Sequence, residues 1–424
     1  MKRSITWGVA AAVLLIAHAA ASVADDQFGG QARANAASDM IVQGVQQGIT
    51  SLPPTSGQSF IYDYNTELGT FEASAELGPT VLRAPQTIGQ GRFSVRGAVS
   101  YFELAETFDP LIYQINIPPG QGFPTPLYSK FGMSAQANVI LFNLGGTYGI
   151  TDRIEMSLNI PISVVQAQAR QSYTVRPQNL GLPPSQRPLG VVAPAPGQTP
   201  QDALDAAFAT NQLTLADSTF SALGFDFNDG HQAGVGRISV GGKGLLFSND
   251  WADLAFSTEF FCNSPNEAQF AGSNSPSILP RLIGEAKLAP RLNYHADLGY
   301  EYDFVNTNLT RFTWNTGFSI PVVNATFDFG VGGSKFDTPI RWTPVQSKAT
   351  GPKTPNYPNG IPATLRLYQA HGDNKLGTNF VDVLAGLKVK LWQGLVLSGG
   401  VTVPVTDDGF RAAAVGTGSL EYYF

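Results

Sequence analysis

Long stretches of this chain alternate, residue by residue, between apolar and polar side chains. In 153–164 the even positions are apolar and nearly all odd positions are polar, and the same alternation runs through 291–304 and 381–391. Successive side chains of a β-strand point to opposite faces, so each stretch predicts a strand with one apolar and one polar face. The chain is therefore expected to be mainly β-sheet.

Weaker versions of the pattern bring the expected number of strands to about 12 (12–14). Most are roughly 10 residues long or longer, which suits a tilted membrane-crossing strand better than the 5 or 6 residues usual in soluble sheets. The further predicted strands are 92–104, 139–150, 236–247, 251–262, 281–288, 311–320, 325–334, 395–405 and 410–424.

The connections between these strands alternate in length. Two of them, 172–233 and 336–378, are far longer than a compact soluble domain usually carries. Short turns on one side and long loops on the other are typical of an outer-membrane barrel, with the turns in the periplasm and the loops outside. The short turns are centred on Asp152, Asn249, Pro290, Val322 and Gln393.

The N-terminus reads as a secretory signal peptide. Lys2 and Arg3 precede an apolar stretch at 7–16, and small residues lead to Ala24. No other stretch approaches the roughly 20 apolar residues of a spanning helix, so a closed barrel is the remaining way to cross a bilayer. We expect a signal peptide at 1–24, a periplasmic or plug segment at 25–84, and an antiparallel up-and-down transmembrane β-barrel at 85–424.

Composition agrees with this fold class. Only 14% of the residues are charged, against about 25% in soluble domains, so much of the surface is not expected to face water. Composition alone does not exclude a soluble exported β-domain. The formal net charge of −6 gives no basic footprint for nucleic acid, and the single cysteine, Cys262, excludes a disulfide framework.

The C-terminus ends on an aromatic residue. Leu420, Tyr422 and Phe424 fall on one strand face, which resembles the C-terminal recognition signal of bacterial outer-membrane barrels. This resemblance implies delivery by the barrel-assembly machinery to the Gram-negative outer membrane, where lipid and lipopolysaccharide surround the barrel.

Charged residues on the polar strand faces are expected to line the lumen, since Arg or Lys on the lipid face costs roughly 2 to 4 kcal/mol near mid-membrane. Their mixed signs predict a salt-bridged, partly closed interior without strong ion selectivity. The lumen-facing candidates are Arg237, Lys243, Glu259, Glu285, His295, Asp297, Glu301 and Arg311.

No catalytic residue, metal site or cofactor is predicted. His295 shares a face with Asp297 and Glu301, but a luminal polar network explains this as well as a hydrolase does. No histidine or cysteine pair has metal-ligand spacing, and the acidic turn at 226–230 lacks the glutamate of a complete calcium loop. The glycines of 234–243 do not fit a nucleotide-binding loop.

Three segments, 83–93, 150–155 and 234–243, resemble a transporter-like barrel family. That family is similar to the phenol-degradation MetA-pathway group and more distantly to FadL-type channels. The resemblance implies passage of small organic molecules, aromatic ones among them, and transfers no binding residue. The predicted function is an outer-membrane channel for passive or facilitated uptake of small solutes, hydrophobic or aromatic ones included. The alternatives are a structural or adhesive surface barrel and an outer-membrane lipid hydrolase.

Overall fold

The computed structural model describes the following residues: 44, 46–49, 60–65, 70–116, 127–177, 214–219, 231–264, 275–340, 348–350, 362–370, 376–392, 394–406 and 408–424. The expected signal peptide and the acidic turn at 226–230 lie outside them. Among the described residues, no helix is long and apolar enough to cross a membrane.

Twelve long antiparallel strands close into a barrel, which confirms the predicted fold class. Around the barrel the order is β3, β4, β5, β8, β9, β10, β11, β12, β13, β16, β17 and β19, and β19 pairs back with β3. The strand bounds are β1 Phe60–Asn65, β2 Thr70–Leu77, β3 Phe93–Asn116, β4 Leu127–Thr151, β5 Ile154–Pro177, β6 Thr214–Thr219, β7 His231–Val235, β8 Ser239–Ser248, β9 Ala252–Phe261, β10 Ser277–Ala289, β11 Leu292–Asp303, β12 Arg311–Val322, β13 Ala325–Phe336, β14 Lys348–Thr350, β15 Pro362–Ala370, β16 Asn379–Trp392, β17 Leu395–Pro404, β18 Arg411–Ala412 and β19 Val415–Tyr423.

The short strands extend this sheet. β7 precedes β8 along the same partner, β5, and β18 precedes β19 along β3. β6 pairs with β5, and β15 pairs with β3 and β14. The expected long connections 172–233 and 336–378 thus contain strands. Strands β6, β7 and β14 have only 3 to 6 residues, which is too short for an alternating pattern to be recognised in the sequence.

Strands β3, β4 and β5 have 24 or 25 residues, about twice the length of most others. The alternation in β3 predicted an end near residue 104. The register of β3 against β4 shifts between Phe108 and Leu111, and such a bulge reverses which positions share a face. The strand therefore continues where its periodic signal stops.

The short connections β4–β5, β8–β9, β10–β11, β12–β13 and β16–β17 lie at one end of the barrel, called here the turn end, and the opposite end is the loop end. Phe93 and Phe424 also meet at the turn end, where the N–H of Phe424 donates to the carbonyl of Phe93 over 2.9 Å. Their rings lie 6.1 Å apart. The two ends of the barrel sequence therefore close its last seam.

The outer face of the barrel is apolar and its inner face is polar. Leu298 is 53% exposed, whereas its neighbour Asp297 is 3% exposed. Large aromatic side chains are exposed near both rims, Trp392 at the turn end and Phe304 at the loop end. A closed barrel with an apolar outer band and aromatic rims is a transmembrane barrel.

The chain between β2 and β3 does not leave the barrel. Residues 77–90, called here the inner segment, lie inside it near the turn end, and most of their described side chains are buried. The boundary expected at residue 85 falls within this segment, and the first barrel strand begins at Phe93.

Candidate functional site in the barrel interior

The first half of the inner segment is bonded to β13 and β16. Asp328 accepts hydrogen bonds at Oδ2 from the backbone N–H groups of Thr80 (3.0 Å) and Val81 (2.6 Å). Lys388 donates from Nζ to the carbonyl of Pro79 over 2.8 Å. A buried carboxylate and a buried ammonium of the wall thus satisfy backbone groups that have no sheet partner.

The second half is bonded to the opposite wall. Lys243 donates from Nζ to the carbonyls of Ala84 (3.1 Å) and Gln86. The amide of Gln86 donates to Asp253 (2.7 Å) and Glu285 (3.1 Å). The segment therefore spans the lumen between two sets of charged wall residues.

The segment ends in a turn that leads into β3. The N–H of Ile88 donates to Glu155 over 3.0 Å, and the N–H of Gln90 donates to Asp152 over 2.9 Å. Gly91 has φ of 73°, a conformation that glycine adopts without strain. The end of the segment 83–93, which the sequence analysis singled out, is therefore the link from the inner segment to the barrel wall.

Glycines of the wall provide the surface on which the segment packs. A Cβ at Gly400 would lie 2.8 Å from Cγ1 of Val81, and a Cβ at Gly317 would lie 3.0 Å from Cδ1 of Leu82. Gly330 contacts Leu82 in the same way. These close approaches need a wall without side chains at those positions, so the wall is shaped for this segment.

The charged residues of the lumen are arranged at three levels. Nearest the loop end, Glu301 is fully buried and pairs with Arg237 (2.8 Å) and Arg311 (2.9 Å). Ser277 donates to the same carboxylate, and Asp303 lies 3.7 Å from Arg237. A carboxylate held between two guanidinium groups is neutralised within the wall.

At the middle level, Arg281 forms an ion pair with Asp297. The amide of Asn315 donates to both oxygens of that carboxylate, over 3.2 and 3.1 Å. Arg83 of the inner segment pairs with Glu259 over 3.2 Å, and both side chains are about a fifth to a quarter exposed. The charges of this level are also paired.

Nearest the turn end, His295 joins a serine and a glutamate. Its Nε2 lies 2.8 Å from the hydroxyl of Ser319, and its Nδ1 lies 3.5 Å from Glu285. This is the order of groups in a serine hydrolase triad. All three are buried, and Ser319 is only 2% exposed.

The eight predicted lumen residues occupy the inner face; seven belong to these levels, and Lys243 bonds to the inner segment. Arg237 and Arg311 both pair with Glu301, and Glu285 contacts His295. The other three pair with residues outside the set, among them Asp297 with Arg281. Sequence reasoning put Arg281, Glu155, Asp328 and Lys388 on the polar strand faces but did not single them out as candidates. It also missed Thr80, Val81 and Gln86, which no periodic pattern marks.

The described part of the inner face carries little exposed surface. Ser398 and Ser419, on β17 and β19, are each 6% exposed, and Gln47 near the loop end is fully buried. A water-filled pore would leave such side chains exposed. These inner-face side chains are therefore shielded from water. Within the described ranges, no group of three or more His, Cys, Asp or Glu residues is placed to hold a metal ion.

Residues 198–347 match the family described as "putative MetA-pathway of phenol degradation". The match covers about a third of the chain and includes the segment 234–243, so the resemblance read from the sequence is confirmed there. No curated protein sequence matches the chain.

Several solved structures are similar in part. An outer membrane channel from Pseudomonas putida F1 has 11% identity and a TM-score of 0.37, covering 78% of this chain and 95% of that one. The P. putida toluene transporter TodX has 10% identity and a TM-score of 0.34, covering 78% and 89%. A Pseudomonas aeruginosa FadL homologue has 10% identity and a TM-score of 0.31, covering 78% and 90%. The assignment of the fold rests on the strand pairing of this chain itself.

Proposed function

We propose that this chain is an outer-membrane channel for passive uptake of small solutes and that the structure is its closed state. The observation that carries the proposal is the inner segment. A purely structural barrel can fill its interior with side chains of its own wall. Here a separate stretch of chain fills part of the lumen.

The nature of the contacts supports a segment that can leave its place. Asp328, Lys388 and Lys243 of the wall bond to the segment, and Gln86 of the segment donates to Asp253 and Glu285 of the wall. Each of these bonds has a charged partner, and its replacement by a hydrogen bond to water costs about 1.5 to 3 kcal/mol net. Displacing the segment would hydrate the lumen while the wall strands stay paired.

The charge pattern indicates which solutes would pass. The luminal charges at the loop-end and middle levels are paired with one another, so neither sign is left in excess to attract an ion. We therefore propose small uncharged organic solutes. The description of the matching family names phenol degradation, and this supports including aromatic compounds in the proposal. Delivery by the barrel-assembly machinery and contact with lipopolysaccharide are part of the same proposal.

Solute flux into liposomes tests the proposal directly. Purified, heat-modifiable barrel should raise the entry of small uncharged solutes above that of protein-free liposomes, and planar bilayers should show discrete solute-dependent current changes. A folded barrel that adds no flux for any solute would leave the structural or adhesive alternative as the better reading.

The Ser319, His295 and Glu285 contacts favour one second candidate, a lipid hydrolase. In the closed state Ser319 is 2% exposed and out of reach of a substrate, so a hydrolase would act only in an open state. A fluorophosphonate probe decides between the two. We expect no labelling of the folded protein, and labelling that disappears in Ser319→Ala would establish the hydrolase.

A further inference from the structure

A row of directly paired residues crosses the inner wall next to the loop-end level, and it includes Arg281 of the middle level. Each member lies opposite the next on the neighbouring strand, from β9 to β16. The row consists of Ser257, Arg281, Gly299, Thr313, Ser334 and Phe380.

Three hydroxyls of this row have no hydrogen-bond partner among the residues that the structure describes. Ser257, Thr313 and Ser334 are 6%, 7% and 2% exposed, and the oxygen of each is buried. Buried polar groups are nearly always hydrogen-bonded, and each exception needs a physical reason. Three exceptions in one row point to a bound group that supplies the bonds.

Thr313 and Ser334 differ from other hydroxyl pairs of the same wall. Ser398 and Ser419 also lie directly opposite each other, and their hydroxyls bond over 2.6 Å. The opposite pair Ser100 and Thr417 bonds over 2.8 Å. Thr313 and Ser334 have the same register relationship, yet their hydroxyls do not bond to each other.

The neighbouring charges restrict the chemistry of the bound group. Arg281 is engaged by Asp297, and Glu301 is engaged by Arg237 and Arg311. The groups of the row that lack a hydrogen-bond partner among the described residues are therefore hydroxyls, which can both donate and accept hydrogen bonds. An uncharged group that does the same, such as another hydroxyl, satisfies them without burying a charge.

The end of the row is aromatic. Phe380 lies opposite Ser334, and its ring packs edge-on against Phe336 at 5.3 Å between centroids. Gly299, opposite Thr313, contributes no side chain to the row. Phe380 is fully buried, with the guanidinium of Arg411 4.7 Å over its ring, so the aromatic part of the solute follows from the proposed function and not from this row.

We propose that Thr313 and Ser334 form a recognition point for the hydroxyl of a small, uncharged aromatic alcohol on its way through the lumen. This inference rests on the proposed channel function and names its solute class and two of its specificity-determining residues.

The test compares phenol with toluene, which has nearly the same shape but no hydroxyl, in liposome flux assays. The double variant Thr313→Val/Ser334→Ala keeps the side-chain volumes close to the original. It should lower phenol flux about fivefold, the effect of one hydrogen bond of about 1 kcal/mol, and should leave toluene flux unchanged. Thr313→Ser, which keeps the hydroxyl, should retain the phenol flux.

The matched control is Ser398→Ala/Ser419→Ala, which removes a hydroxyl pair that is already bonded and should leave the phenol-to-toluene ratio unchanged. An unchanged ratio in the Thr313→Val/Ser334→Ala variant overturns this inference while the channel function stands. Failure of the unmodified protein to pass either solute overturns the channel function itself.

Discussion

Oδ2 of Asp328 lies 2.6 Å from the backbone nitrogen of Val81 and accepts its hydrogen bond. The two residues are 247 positions apart in the chain. This contact joins the barrel wall to the inner segment, so the wall of β13 and the chain before β3 form one folded unit. Some charged residues of the lumen thus form hydrogen bonds with the inner segment, and others form ion pairs with one another.

Replacing Asp328 with alanine should loosen the inner segment. The N–H groups of Thr80 and Val81 would lose their acceptor, at a cost of about 1 to 3 kcal/mol for each group left buried. We expect higher solute flux from a barrel that still assembles. Asp408→Ala is the control, because Asp408 accepts from the N–H of Asn379 in the wall rather than from the segment. Equal flux in the two variants would refute a role for Asp328 in closure.

A charged side chain on the outer face, in the middle of a strand, should impair assembly of the barrel. Lysine at Leu298 places a charge against hydrocarbon, at a cost of about 2 to 4 kcal/mol near mid-membrane, and we expect less assembled barrel. Val305→Lys, on an exposed residue just beyond β11, should assemble normally. Heat-modified mobility in gels measures both. Normal assembly of Leu298→Lys would mean that this face does not meet lipid.

Removing the last residue should weaken closure of the seam. Phe424 donates its N–H to Phe93, and its ring contacts those of Phe93 and Tyr422. Without it, fewer barrels should reach the heat-modifiable form. Leu397→Ala, which shortens an exposed outer side chain on β17, is expected to behave like the unmodified chain. A full yield from the shortened chain would show that the terminal aromatic has no part in assembly.

The loop end is predicted to face outward from the cell. In a Cys262→Ser background, a cysteine at Val305 should react with a membrane-impermeant maleimide on whole cells. A cysteine at Asp250, in the tight turn between β8 and β9, should react only after the outer membrane is opened. The reverse labelling would invert the barrel.

The sequence predicted the wall well because alternation is a local signal. Each of the twelve predicted strands corresponds to a barrel strand, since a lipid-facing side chain next to a luminal one leaves its mark at every second residue. The ends were less certain: the bulge after Phe108 hid half of β3. The pattern also placed His295 and Asp297 on one face but said nothing of their partners, because pairing depends on strand register.

The inner segment was harder to predict because no periodicity marks it. Thr80, Val81 and Gln86 are ordinary loop residues in sequence, and their contacts with Asp328 and Asp253 arise from residues far along the chain. A wall glycine such as Gly400 gives only an indirect signal, an interruption in an otherwise regular strand.

The central claim, that the inner segment controls passage, is tested most directly by fixing it to the wall. Val81 and Gly400 are close enough for a disulfide, since a Cβ at Gly400 would lie 2.8 Å from Cγ1 of Val81. The variant Val81→Cys/Gly400→Cys is made in a Cys262→Ser background, and that background alone should show no redox response. The account predicts that oxidation abolishes solute flux through liposome-embedded protein and that reduction restores it. Equal flux in the cross-linked and reduced forms would contradict it.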